Sequence, residues 1–213
     1  MSLESNALNS ELNERLELIE SMIAEGRRRT RRWGWSFVLW GIAYFVAIFW
    51  AAWSIHPFSW PTSLLGQSCW AWPVTMLGSC ILTFLLGTRK GQSGQEPNTL
   101  AGSAIGAIWS MMGVSMILIF PALSMAGKMD SHAFVALVAS FLGMANGASS
   151  IILKWREQMA CAGCWWLTSV AVCFVSEAQV VQVFLGAIFL CQIVFGLYAM
   201  SCEARANREV RHA

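Results

Sequence analysis

The chain has 213 residues, of which 56% are hydrophobic and only 12% charged. A soluble domain carries about 25% charged residues, so this chain cannot cover a water-facing surface; its mean hydropathy of +0.54 points to a membrane protein with several spans. The net charge of +2 says little about partners, because the charges are segregated along the chain.

The first 32 residues are polar and contain no apolar core of the signal-peptide kind, so no cleavable secretory signal is expected. Within them, residues 9–25 read as an amphipathic helix. Leu12, Leu16, Ile19 and Ile23 recur at alternating four- and three-residue steps, which marks one apolar stripe. Asn9 or Ser10 is the expected cap. Glu11, Glu14, Glu17, Glu20 and Glu25 make the remaining surface acidic, with Arg15 alone opposing them. Three fates suit such a helix: folding back on the cytoplasmic ends of a bundle, pairing with a second copy or a soluble protein, or lying on lipid. Its acidity argues against the last, since anionic lipids repel it.

Arg27, Arg28, Arg29, Arg31 and Arg32 follow, and directly after them the chain turns apolar and aromatic. A basic cluster can bind nucleic-acid phosphates, but this one adjoins an apolar span at a bilayer that offers its own anionic head groups. Orientation of the span and contact with lipid are therefore expected, and no nucleic acid.

Six apolar stretches follow, each without Lys, Arg, Asp or Glu in its interior. They run from Trp33 to Trp53, Cys69 to Gly87, Leu100 to Leu123, His132 to Leu153, Met159 to Val175 and Ala178 to Met200. In hydrocarbon every backbone N–H and C=O must be paired within the segment, so each is expected to be a helix. The joints at 54–68, 88–99, 124–131, 154–158 and 176–179 are polar or rich in turn formers, and short joints favour antiparallel neighbours. If the N-terminus is cytoplasmic, all of the fourteen basic residues except Lys128 fall on the inner side. The expected architecture is an all-α polytopic membrane protein: a cytoplasmic segment 1–32 with its amphipathic helix, a six-helix transmembrane domain 33–201 and a basic cytoplasmic tail 202–213. Trp33, Trp35 and Trp155 fall at the inner interface and Trp50, Trp53, Trp60, Trp70 and Trp72 at the outer one, while Trp40 and Trp109 lie deeper, where packing between helices is expected.

Few residues carry chemistry. "CAGC", residues 161–164, places Cys161 and Cys164 one turn apart on a helix face. Such a pair exchanges a disulfide when a thiolate forms readily, but two small residues at a helix contact are the simpler reading. Two cysteines fall short of the four ligands of a structural zinc site, and His56 and His132 on the outer side, near Asp130 and Glu177, fall short of an ordinary zinc set. With most of the seven cysteines in apolar stretches, no disulfide framework is expected. No cofactor or metal is expected either.

Within the spans, Asn146 sits between Gly143 and Gly147, Gly102 and Gly106 repeat the small-x-x-x-small spacing, and Gly186 stands with Gln182 and Gln192. Small residues let helices approach and amides can hydrogen-bond across the contact. The spans hold no mid-depth acid or base, which proton-coupled pumps and ion carriers usually keep. No phosphate loop, nucleophile elbow or H-E-x-x-H is present.

The amino end, with "LIESMI" at 18–23 and "VLWGIAYF" at 38–45, resembles the start of a group of uncharacterised bacterial multi-pass inner-membrane proteins, some of them encoded beside small winged-helix regulators. The likeness covers about 30 residues and transfers no catalytic residue. It implies a bacterial inner-membrane location and a regulatory or accessory role. The expectation is thus a non-enzymatic inner-membrane protein with both termini cytoplasmic. It contacts the lipid bilayer, forms a homo-oligomer through its glycine-bearing faces, or docks a soluble cytoplasmic protein on residues 9–25. The alternatives are a transporter or channel component lined by Asn146, Gln182 and Gln192, and a thiol-redox protein using Cys161 and Cys164.

Overall fold

A computed structural model describes residues 2–53, 71–91 and 100–212, with side chains over 11–26, 33–52, 71–87, 101–206 and at Arg208. All described elements are helical. They are α1 (Ser2–Arg32), α2 (Gly34–Trp53), α3 (Ala71–Gly91), α4 (Leu100–Met125), α5 (Ser131–Leu153), α6 (Arg156–Ala171), α7 (Glu177–Ile188) and α8 (Phe195–His212). A short 3-10 turn, Val172–Phe174, ends α6, and a π-helical segment, Phe189–Val194, joins α7 to α8.

Apart from Trp33 and Val175 at their ends, the apolar stretches are helical over their described residues. Four helices are long and apolar enough to cross a membrane: Gly34–Ala52, Ala101–Met125, Ser131–Leu153 and the continuous run Glu177–Ala206. The apolar part of α3, Ala71–Gly87, and the 16-residue α6 are shorter. Large apolar side chains such as Phe84, Ile117, Leu118 and Leu167 point outward, a surface that suits lipid and not water.

Three expectations about the chain's local structure are corrected. Asn9 or Ser10 does not start the first helix, because α1 already runs from Ser2 and continues through the arginines to Arg32. Nothing between Ser2 and Arg32 breaks a helix strongly, Gly26 included, and Leu, Glu, Ala and Arg all favour one. The joint at 154–158 shrinks to Lys154 and Trp155. Lys154 adopts the left-handed conformation (φ 49°) that terminates α5, and the Trp155 N–H donates to the Ser150 carbonyl at 2.9 Å. Trp155 is buried against Phe195, with ring centroids 5.2 Å apart, instead of lying at an interface. The expected joint at 54–68, His56, Trp60, Trp70 and the 92–99 part of the second joint lie outside the described residues.

Capping explains the other corner. Asp130 accepts from the Ala133 N–H at 2.7 Å to start α5, after a turn in which Gly127 takes φ 66°. The Gln179 side chain accepts from both the Ser176 N–H and its hydroxyl, each at 3.0 Å, at the start of α7.

The interior has two clusters. The larger is aromatic: Tyr44 packs on Trp72 and Phe184, and Phe134 on Trp72 and Phe120. The smaller, near the ends of α1 and α5, holds Phe37, Leu153, Trp155, Phe195 and Ala199. Between helices the closest approaches use glycine. A Cβ on Gly34 would stand 3.0 Å from the Gly196 carbonyl oxygen, and one on Gly196 would stand 2.8 Å from the Gly34 oxygen, so α2 and α8 touch backbone to backbone.

Candidate functional site

The polar interior lies along α5, α6 and the π segment. Asn146 is buried; its Nδ2 donates to the Leu142 carbonyl of its own helix at 2.8 Å, and its Oδ1 has no partner. Gln192 is buried in the π segment with Oε1 unpartnered. Gln182 faces outward and does not join them. Of the three residues named for a path, Asn146 and Gln192 are thus buried and Gln182 is exposed. On α7 the spacing places Gln182 between the inward residues Val181 and Phe184 and the outward Gly186.

A third buried amide replaces it. Gln158 is 0% exposed, and neither Nε2 nor Oε1 has a hydrogen-bond partner. A buried amide left unpaired costs about 1–3 kcal/mol per group, so this side chain is conspicuous. Sequence reasoning assigned it to a joint. The available signal was its helical spacing: Gln158, Cys161 and Trp165 fall on one face, and Trp165 is fully buried.

The thiols also gain a member. Cys161 and Cys164 are half-buried on α6, and Cys191 is buried against α6 beside Cys161. Cys191 donates to the Cys161 carbonyl at 3.8 Å. Nothing in the sequence links residue 191 to 161 and 164, because the contact depends on how α6 packs against the last helix. The described cysteines are free thiols. Among the described residues no group of three or more His, Cys, Asp or Glu is arranged to hold a metal.

The π segment needs room, because its wider turn pushes side chains outward. Gly41 of α2 supplies it: a Cβ there would stand 2.9 Å from Gln192 Cβ and from Ile193 Cδ1. Gly143 and Gly147 do a similar service on α5, where Trp166 lies over them; added Cβ atoms would meet the indole at 2.5 and 2.9 Å. Trp109, packed edge to face on Phe37, donates to the Ser149 hydroxyl at 3.2 Å and ties α4 to α5.

The other glycines behave differently. Gly102 is half-buried, while Gly106 and Gly186 face outward with nothing within 4 Å of an added Cβ. Among the described residues, Gly106 and Gly186 make no close contact with another helix. Gly143 and Gly147, singled out by spacing, do meet a neighbouring helix, whereas Gly34, Gly41 and Gly196 were not singled out, because their partners come from distant parts of the sequence.

At the far end of the bundle, His132 Nδ1 lies 3.3 Å from Glu177 Oε2, its Nε2 donates to the Val175 carbonyl at 3.0 Å, and Ser131 donates to the same carboxylate. Asp130 is occupied in capping α5. This cluster fastens α5 to α7. At the opposite end, the backbone at Arg27, Arg28, Arg29, Arg31 and Arg32 is helical, and their side chains lie outside the described residues.

On α1 the described residues leave most of the apolar stripe uncovered: Leu12, Leu16 and Ile19 are 49%, 58% and 53% exposed, and Ile23 is half-buried. The bundle reaches α1 only further along, where a Cβ on Gly26 would stand 3.0 Å from Leu153 Cδ2 and 3.3 Å from Ala101 Cβ. The fold-back expectation therefore applies to the end of α1 and not to its stripe.

No family model matches the chain, and comparison with curated proteins and with solved structures finds no significant match.

Proposed function

We propose that this protein is a non-enzymatic accessory or regulatory protein of a bacterial inner membrane. On this reading it crosses the bilayer six times, keeps both termini in the cytoplasm, and holds α1 there as a docking element. The observation that carries the reading is the bare apolar stripe of Leu12, Leu16 and Ile19 on an otherwise acidic helix. Support for the membrane part comes from the apolar helices and their outward Phe and Leu side chains. Support for six crossings comes from the alternation of basic residues between joints, with α3 and α6 spanning as short helices. No buried described residue is charged, which disfavours ion-coupled transport. The open space beside Gly106 and Gly186 supports self-association.

Reporter fusions test the topology. Fusions after residue 92 and after residue 206 are expected to report the cytoplasm, and an insertion beside Lys128 the outside; any reversal overturns the six-span reading. Cross-linking from α1 in native membranes tests the role. A helix that captures neither a second copy nor a cytoplasmic protein is not a docking element.

A second reading, a carrier or channel component for a neutral polar solute, is favoured by the unpartnered amide groups of Asn146, Gln158 and Gln192. Alanine at all three positions abolishes flux if it holds, and leaves flux unchanged if it does not.

A further inference from the structure

Resting on the reading of α1 as a cytoplasmic docking element, we infer that its occupant is α1 of a second copy of this chain, paired in parallel as a two-stranded coil. The stripe has coiled-coil spacing: Leu12 and Ile19 take d positions, Leu16 and Ile23 take a positions. In that frame Glu11, Glu14, Glu17 and Glu25 occupy c, f, b and c, and so point away from the seam. The charges left beside the seam are Arg15 at g and Glu20 at e. In a parallel pair the g residue of one helix meets the e residue five places later on its partner, so Arg15 faces Glu20 of the second copy twice by symmetry. The helix that looks too acidic to pair with itself thus carries its only seam-flanking charges as a complementary pair.

Direction follows from the membrane. Trp33 alone separates α1 from α2, and two copies inserted with the same orientation send α1 out of the same face. The next d position is Gly26, which is already taken by Leu153 and Ala101 of its own bundle. The seam is therefore confined to residues 12–23, and the helices part beyond Ile23. Two heptads make a weak coil in water, but two copies held in one membrane meet at a high effective concentration.

The test uses the full-length protein in native membranes, with the native cysteines replaced by alanine and insertion checked by its cytoplasmic reporter. Leu16→Cys and Ile19→Cys are expected to form a disulfide-linked species of twice the chain mass under mild oxidation, and Glu14→Cys to form none. Arg15→Glu or Glu20→Arg alone lowers the Leu16→Cys cross-link by about threefold, the size of an exposed ion-pair effect. The double swap restores it, although it does not restore the Arg15–Glu11 pair within the helix. Equal cross-linking at positions 14 and 16, or a double swap that does not recover, overturns the inference. So does an α1 that cross-links only to a different cytoplasmic protein, but that result leaves the docking reading standing. A reporter that places the N-terminus outside removes the docking reading itself.

Discussion

The indole of Trp166 lies across Gly143, so closely that a single methyl group added to the glycine would stand 2.5 Å from its Cδ1 and Nε1. Two helices joined by a two-residue corner, α5 and α6, are thereby keyed together. Gly143→Ala is expected to lower the thermal stability of the purified protein in detergent by about 1–3 kcal/mol, the usual range for overpacking. Gly163→Ala is the control. It has nothing within 4 Å of the added Cβ, and it should be neutral or stabilise by up to about 1 kcal/mol, because alanine favours a helix.

Gln158 offers a sharper choice between functions. If its amide serves only as buried bulk, Gln158→Met removes two unpaired polar groups while keeping the volume, and the melting temperature should rise. A fall in melting temperature shows that the amide has a partner inside the bundle, and that outcome removes Gln158 from the unpartnered groups on which the carrier reading rests.

The fold class was legible because apolar run length is a direct consequence of bilayer thickness. Apart from Trp33 and Val175 at their ends, the six apolar stretches are helical wherever they are described, and α5 begins one residue from its expected start. The site was less legible. Cys161 and Cys164 declare themselves by local spacing, but Cys191 reaches the Cys161 carbonyl through tertiary packing. Gly34 and Gly196 are 162 positions apart in the chain, and each looks like an isolated glycine until the helices are brought together. Spacing pointed to Gly143 and Gly147, which lie under Trp166, and equally to Gly106 and Gly186, which have no described neighbour within 4 Å of an added Cβ. The same small-residue pattern serves contacts within a chain and between chains, and only a structure separates the two.

The thiol cluster yields a prediction that bears on the remaining alternative. On the non-enzymatic reading, Cys161, Cys164 and Cys191 stay reduced, and mass-tag trapping gives the same pattern before and after treatment of membranes with a mild oxidant. A pattern that changes reversibly at Cys161 or Cys164 instead supports thiol exchange.

Glu177 accepts from Ser131 and contacts His132, and so holds the start of α7 against the start of α5. Glu177→Ala removes both contacts at once. The carboxylate is half exposed, so a loss of about 1 kcal/mol is expected, measured as a lower denaturation midpoint. His132→Ala should cost about as much, because it loses the bond to the Val175 carbonyl as well as the carboxylate contact, while Ser131 keeps its bond to Glu177.

The contact between Gly34 and Gly196 also bears on biosynthesis. Of the described helices, α2 is synthesised well before α8, so its face at Gly34 has no backbone partner at Gly196 until α8 follows. A chain cut short before Phe195 lacks α8, and the face of α2 at Gly34 is left without that contact.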